Sequence, residues 1–129
     1  MATIKNFEDL EIWQLSRSLC YDIFNIIDNS SLKQDYKLKE QINGASGSIM
    51  DNIAEGFERN GNKEFGQFLS IAKASCGETR SQLYRVFDRN YINKDNFNML
   101  KDKTLKLSNK IGAFMKYLKN SDYKGSKYK

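Results

Sequence analysis

Apolar residues recur along this chain at intervals of three and four, and almost never in strict alternation. That spacing marks amphipathic helices, because one helical face returns every 3.6 residues. Four such runs are present. The first predicts a helix from about Phe7 to Asp28, with Ile12, Trp13, Leu19, Cys20, Ile23, Ile26 and Ile27 on a broad apolar face and Asp22 and Asn25 turned away. The second predicts a helix from about Tyr36 to Arg59, carrying one stripe of Leu38, Ile42, Ala45, Ile49, Ile53 and Phe57. The third spans about Lys63 to Asn90, with Phe65, Phe68, Leu69, Ala72, Cys76, Thr79, Leu83, Val86 and Phe87 inward. The fourth runs from an Asn93 cap to about Asn120. Phe97, Leu100, Thr104, Leu107, Ile111, Phe114 and Leu118 form its seven-residue repeat.

Short loops between helices force chain neighbours to run antiparallel. The expected fold is therefore all-α: a left-handed, up-down-up-down antiparallel four-helix bundle over residues 1–120, followed by a flexible basic tail, 121–129. The corner "NGN" after the second helix places Gly61 in a left-handed position and Asn62 at the next N-cap. Gly56, on the core side of the second helix, leaves room for a bulky neighbour.

Composition narrows the chemistry. The chain has 129 residues, 29% charged and 40% hydrophobic, which suits one globular domain. No apolar run approaches the length of a membrane span, and no apolar leader opens the chain, so the expected location is the cytoplasm. Histidine is absent, which removes Ser-His and Cys-His nucleophile pairs and the Glu-x-x-His ligands of di-iron bundles. Cys20 and Cys76 lack a zinc-type spacing and read as small core residues. No metal, cofactor or enzymatic activity is expected.

Charge is unevenly placed. Residues 101–129 hold nine lysines against Asp102 and Asp122, whereas the rest of the chain is slightly acidic. Lys101, Lys103, Lys106, Lys110, Lys116 and Lys119 flank the apolar stripe of the fourth helix. They either keep their stems on the core and their heads in water, or form a surface for phosphates. Tyrosines interleave with the lysines from Lys116 onward, which suits stacking on single-stranded bases, although no helix-turn-helix or RNP motif is present.

Two further faces stand out. Gly66, Ser70, Ala74, Gly77 and Ser81 make a small-residue stripe on the third helix, read as a packing face for another subunit or as plain surface. Asn52, Glu55 and Arg59 share an edge of the second helix with Gln41 and Ser48. They read as a polar seam between helices, with Glu78 a further partner for Arg59, in preference to a catalytic row.

The segments "FEDLEIWQLSRSLCYDIF" and "SIMDNIAEGFERNGNKEFGQFLSIAKASCGE", with "TRSQL" after them, resemble the four-helix-bundle proteins encoded in 23S rRNA intervening sequences. Asn52-Ile53-Ala54-Glu55-Gly56 with Arg59 is the most specific part; Glu64-Phe65, Phe68-Leu69 and Ser75 with Glu78 add to it. Where that family often has proline, this chain has Met50. The resemblance implies a bacterial cytoplasmic homopentamer without established enzyme activity. It extends to accessory proteins of diversity-generating retroelements, which share the bundle and are thought to bind nucleic acid and a partner protein. The expected function is thus a non-enzymatic oligomer that binds RNA or DNA through its lysines. The alternative is a protein–protein scaffold that binds no nucleic acid.

Overall fold

The computed structural model describes residues 4–121. A short 3-10 turn (Phe7–Asp9) leads into α1 (Glu11–Asp28). A second (Ser31–Gln34) precedes α2 (Tyr36–Phe57), followed by α3 (Asn62–Asp88) and α4 (Lys94–Lys119). Among the described residues there is no strand. The first helix begins later than its apolar pattern suggests. Leu10 leaves helical geometry (ψ 128°) to bury its side chain, so the preceding turn stays separate.

The helices form a closed circuit in which α1 packs on α2 and α4, and α3 packs on the same two. Cross-helix contacts establish the antiparallel sense. From α2 to α3, Gln41 meets Arg85, Ser48 meets Ser75 and Gly56 faces Phe65, so one number rises as the other falls. From α3 to α4, Tyr84 packs on Phe97, Cys76 bonds to Thr104 and Asn62 to Leu118. All six stripe residues of α2 are buried. In α3 and α4 the predicted stripes are buried except for Phe68, Phe87 and Phe114, which are half-buried at their margins. The buried hydroxyls of Ser16, Ser46, Thr79 and Thr104 donate to carbonyls one turn back in their own helices, at 2.6–2.9 Å, so they enter the core already satisfied.

Two corners differ from the sequence reading. Gly61 has positive φ (90°) with extended ψ (163°), and it caps the start of α3 instead of closing the end of α2. That backbone region is almost restricted to glycine. Asn62 is the first helical residue, not the cap. Its side-chain nitrogen donates to the Leu118 carbonyl at 3.0 Å and ties the corner to the end of α4. At its other end α3 stops two residues early. Asn90 takes a left-handed conformation (φ 63°), Asn90 N donates to Phe87 O and Tyr91 N donates to Val86 O, a Schellman closure. Asn93 caps α4 as expected, accepting from Asn96 N at 2.8 Å. α2 runs unbroken through Met50.

Gly56 is where α2 and α3 come closest. A Cβ there would lie 2.7 Å from the Phe68 Cβ and 2.9 Å from the Phe65 ring. Gly56→Ala is expected to destabilise the fold by about 1–3 kcal/mol, lowering the urea midpoint at constant m-value. Gly66→Ala, with open space around it, is expected to stabilise α3 by roughly 0.5–1 kcal/mol. Equal effects would reject the close approach.

At the opposite end, Asp35 accepts from Arg89 Nη1 at 2.7 Å and from the Tyr91 hydroxyl at 2.8 Å. The Tyr91 bond, then the Arg89 bond, hold the Asp35 carboxyl below the usual carboxylate range. The same Asp35 bond raises the Tyr91 hydroxyl. Stability from Asp35 is therefore present above its unfolded pKa and lost as pH falls through its lowered folded value. Stability from Tyr91 is present below its unfolded pKa and lost as pH rises through its raised folded value. Asp35→Asn is expected to flatten both limbs of the melting temperature against pH; an unchanged profile would refute the coupling.

Candidate nucleic-acid interface

α4 presents its heptad stripe to the core, so the residues beside that stripe lie at its boundaries with α1 and α3. From Lys103 to Ser121 it carries five lysines and no acid. The neighbouring helices decide which of them stay available. Lys103 pairs with Asp22 of α1, and its ammonium also lies 3.4 Å from the Ser18 hydroxyl. Lys110 pairs with Glu11 at 3.1 Å. Lys101 holds its ammonium 5.6 Å from the centre of the Phe97 ring. The expectation that Lys103 and Lys110 form a free phosphate surface is therefore corrected: both join the α1–α4 seam. Asp22, expected to point away from the bundle, instead sits half-buried at that seam. Lys106, Lys116 and Lys119 are exposed, with no ion-pair partner among the described residues.

Lys116 and Lys119 lie on one wall of a groove of about 840 Å³. The other wall is the start of α3, with Lys63, Gly66, Gln67 and Ser70. Half-buried Met115 supplies apolar surface, and none of the lining residues is acidic. No side chain caps the first amides of α3, which leaves the positive end of a 27-residue helix beside the lysines. Reasoning that treated α4 alone missed Lys63. The signal was available, since antiparallel neighbours must bring the start of α3 beside the end of α4.

Asn52, Glu55, Arg59 and Glu78, expected to form a polar seam between helices, make no hydrogen bond across the α2–α3 boundary among the described residues; the crossing bonds come from other side chains. Two bonds cross between the helices: Ser75 Oγ donates to Ser48 Oγ at 3.0 Å, and Arg85 Nη1 donates to Gln41 Oε1 at 3.2 Å. Asn52 stays within α2, donating to the Ser48 carbonyl (2.8 Å) and hydroxyl (2.9 Å). Arg59 Nη2 donates to Glu55 Oε2 at 2.9 Å, and its guanidinium lies 5.1 Å from the Phe68 ring centre. The Glu55–Arg59 pair is half exposed, so about 0.3–0.5 kcal/mol is its ordinary contribution. Glu78 is exposed ten residues beyond Phe68, about 15 Å further along α3, and is not a partner of Arg59.

The small-residue stripe is open within one chain. Ser70, Ala74 and Ser81 are exposed, and an added Cβ at Gly66 or Gly77 would meet nothing within 4 Å. Gly66 and Ser70 line the groove, while Ala74, Gly77 and Ser81 continue beyond it. Tyr21 and Phe24 of α1, 66% and 56% exposed, form a separate apolar surface.

Both thiols are tied to core carbonyls, Cys20 to Ser46 O and Cys76 to Thr104 O, each at 3.1 Å. Burial pushes both up, Cys76 to about 11, so they remain protonated at neutral pH. Among the described residues no group of three metal-ligating side chains is present, and no helix is long and apolar enough to cross a membrane. The tail's lysines and tyrosines beyond Ser121 lie outside the described residues.

A protein of unknown function from the S23 ribosomal protein family of Bacteroides thetaiotaomicron VPI-5482 has a similar crystal structure. The TM-score is 0.73 at 18% identity, over 81% of this chain and 98% of that one, a likeness of fold alone. No curated protein matches. The model of the 23S rRNA-intervening sequence protein family matches residues 8–113, and with its helices, corner and core accounted for, the chain belongs to that family.

Proposed function

We propose that this protein is a non-enzymatic homo-oligomer that binds nucleic acid, with RNA as its target, through the C-terminal half of α4 and the adjoining start of α3. One observation carries the reading. A long helical segment has no acid of its own, and α1 neutralises only Lys103 and Lys110, leaving Lys106, Lys116 and Lys119 unpaired among the described residues. Unpaired cations on one element attract a polyanion, and copies of the chain in one assembly multiply the effect.

The assembly reading rests on surfaces that one chain leaves open. Ala74, Gly77 and Ser81 permit close backbone approach, and Tyr21 and Phe24 expose large rings. A ring of five chains is the proposed form, and the cytoplasm the proposed location. Light scattering is expected to give a multiple of 15.0 kDa; a single-chain mass at micromolar concentration would reject assembly.

Binding to single-stranded RNA is expected to weaken with salt at a log–log slope of about −0.7 per phosphate contact. Substituting Lys106, Lys116 and Lys119 with Gln together should flatten that slope by roughly two units. The Lys103→Gln, Lys110→Gln pair should lower stability and leave the slope in place. The reverse pattern would reject this surface. No retention of RNA at about 0.15 M salt would favour a protein–protein scaffold instead.

A further inference from the structure

The groove at the α3–α4 end is more than an exposed basic patch, because its two surfaces have different chemistry. Its ionisable side chains, Lys63, Lys116 and Lys119, are all cationic, whereas Met115 and the lysine stems give it apolar surface. Cations alone would hold an inorganic anion, and apolar surface alone would hold a hydrophobic side chain. Together they match a ligand that is anionic at one end and flat and apolar at the other. The volume, about 840 Å³, lies in the range of small-molecule sites.

Two polar features add to this. The first amides of α3 lack a side-chain cap, so hydrogen-bond donors accompany the lysines. Asn62, in the same wall, donates through its nitrogen to Leu118 O, while its side-chain oxygen is buried without a partner. The Asn62 bond to Leu118 holds the two walls of the groove together. The residues that follow Ser121 carry Lys124, Lys127 and Lys129 against Asp122. Like charge therefore disfavours the chain's own C-terminal segment as occupant.

We propose that this groove binds one nucleotide of a single-stranded nucleic acid, its phosphate against Lys63, Lys116 and Lys119 and its base against Met115. The proposal rests on the nucleic-acid reading above and narrows it from a charged surface to a shaped site.

A charge-neutral obstruction separates the two. Gly66 lines the groove and has open space beside it, so Gly66→Leu fills the site without straining the fold. Fluorescence anisotropy with labelled eight-nucleotide oligouridylate and oligodeoxythymidylate would read the affinity of the full chain, with light scattering reporting its mass. Gly66→Leu is expected to weaken binding about tenfold at unchanged mass, the scale of losing one base's apolar contact. The Lys116→Gln, Lys119→Gln pair should weaken it at least as much, and Lys106→Gln, outside the groove, less than about threefold. A preference for the oligouridylate would identify RNA, and equal binding would leave both nucleic acids as ligands of the same site. Undiminished binding by Gly66→Leu, with loss in the lysine pair, would overturn the groove while the charged-surface reading stands. Absence of binding by the wild-type chain would overturn both. A fall in mass with Gly66→Leu would assign the groove to a second copy of the chain and overturn the proposal.

Discussion

The close approach of α2 to α3 at Gly56 organises one end of this bundle. With no side chain at that position, the Phe65 ring enters the core and meets Phe57 edge-on at 6.0 Å and Phe114 at 5.5 Å. Three helices are joined by one aromatic cluster, and tilted ring contacts of this kind add to the area they bury. The corner then turns within four residues, from Phe57 to Asn62, and the Asn62 bond to Leu118 fixes the start of α3 against the end of α4. The groove is a consequence of that juxtaposition. Its lysines come from α3 and α4, which the Asn62 bond to Leu118 and the Phe65–Phe114 contact hold together.

Electrostatics then sorts the lysines of α4. They look equivalent along the helix, since each lies beside the apolar stripe. α1 runs antiparallel to α4 and brings Asp22 to Lys103 and Glu11 to Lys110, so these two cations close the α1–α4 boundary. Partly exposed pairs of this type contribute about 0.2–1 kcal/mol each, too little to drive folding. They are sufficient to occupy the charges, and what they leave is a cationic surface displaced toward the α3–α4 end. The polar seam between α2 and α3 has a comparable structural part. Its Ser48–Ser75 bond satisfies two hydroxyls at a helix boundary, and the Glu55–Arg59 pair lies half exposed at its rim.

Much of this architecture was legible in the chain. Steps of three and four placed every helix, and the apolar stripes of α2, α3 and α4 named the core, because burial of one face is what selects a helix in a bundle. Gly56 as a site of close approach and Asn93 as a cap were also readable, since each follows from local stereochemistry. The boundaries were less so. Leu10 breaks the first apolar run because the core takes its side chain from outside the helix. α3 ends early through hydrogen bonds from Asn90 N to Phe87 O and from Tyr91 N to Val86 O that no periodicity reveals.

The candidate site divides along the same line. The sequence by itself determined that the chain is helical, that its C-terminal segment is basic, and that histidine chemistry is excluded, because composition and periodicity are properties of the chain. Only the tertiary structure decided which lysines remain available, that Lys63 joins Lys116 and Lys119, and that Glu78 lies out of reach of Arg59. Those facts depend on distances between residues far apart in sequence. Such distances are set by how antiparallel helices align, and a one-dimensional pattern carries no measure of that alignment.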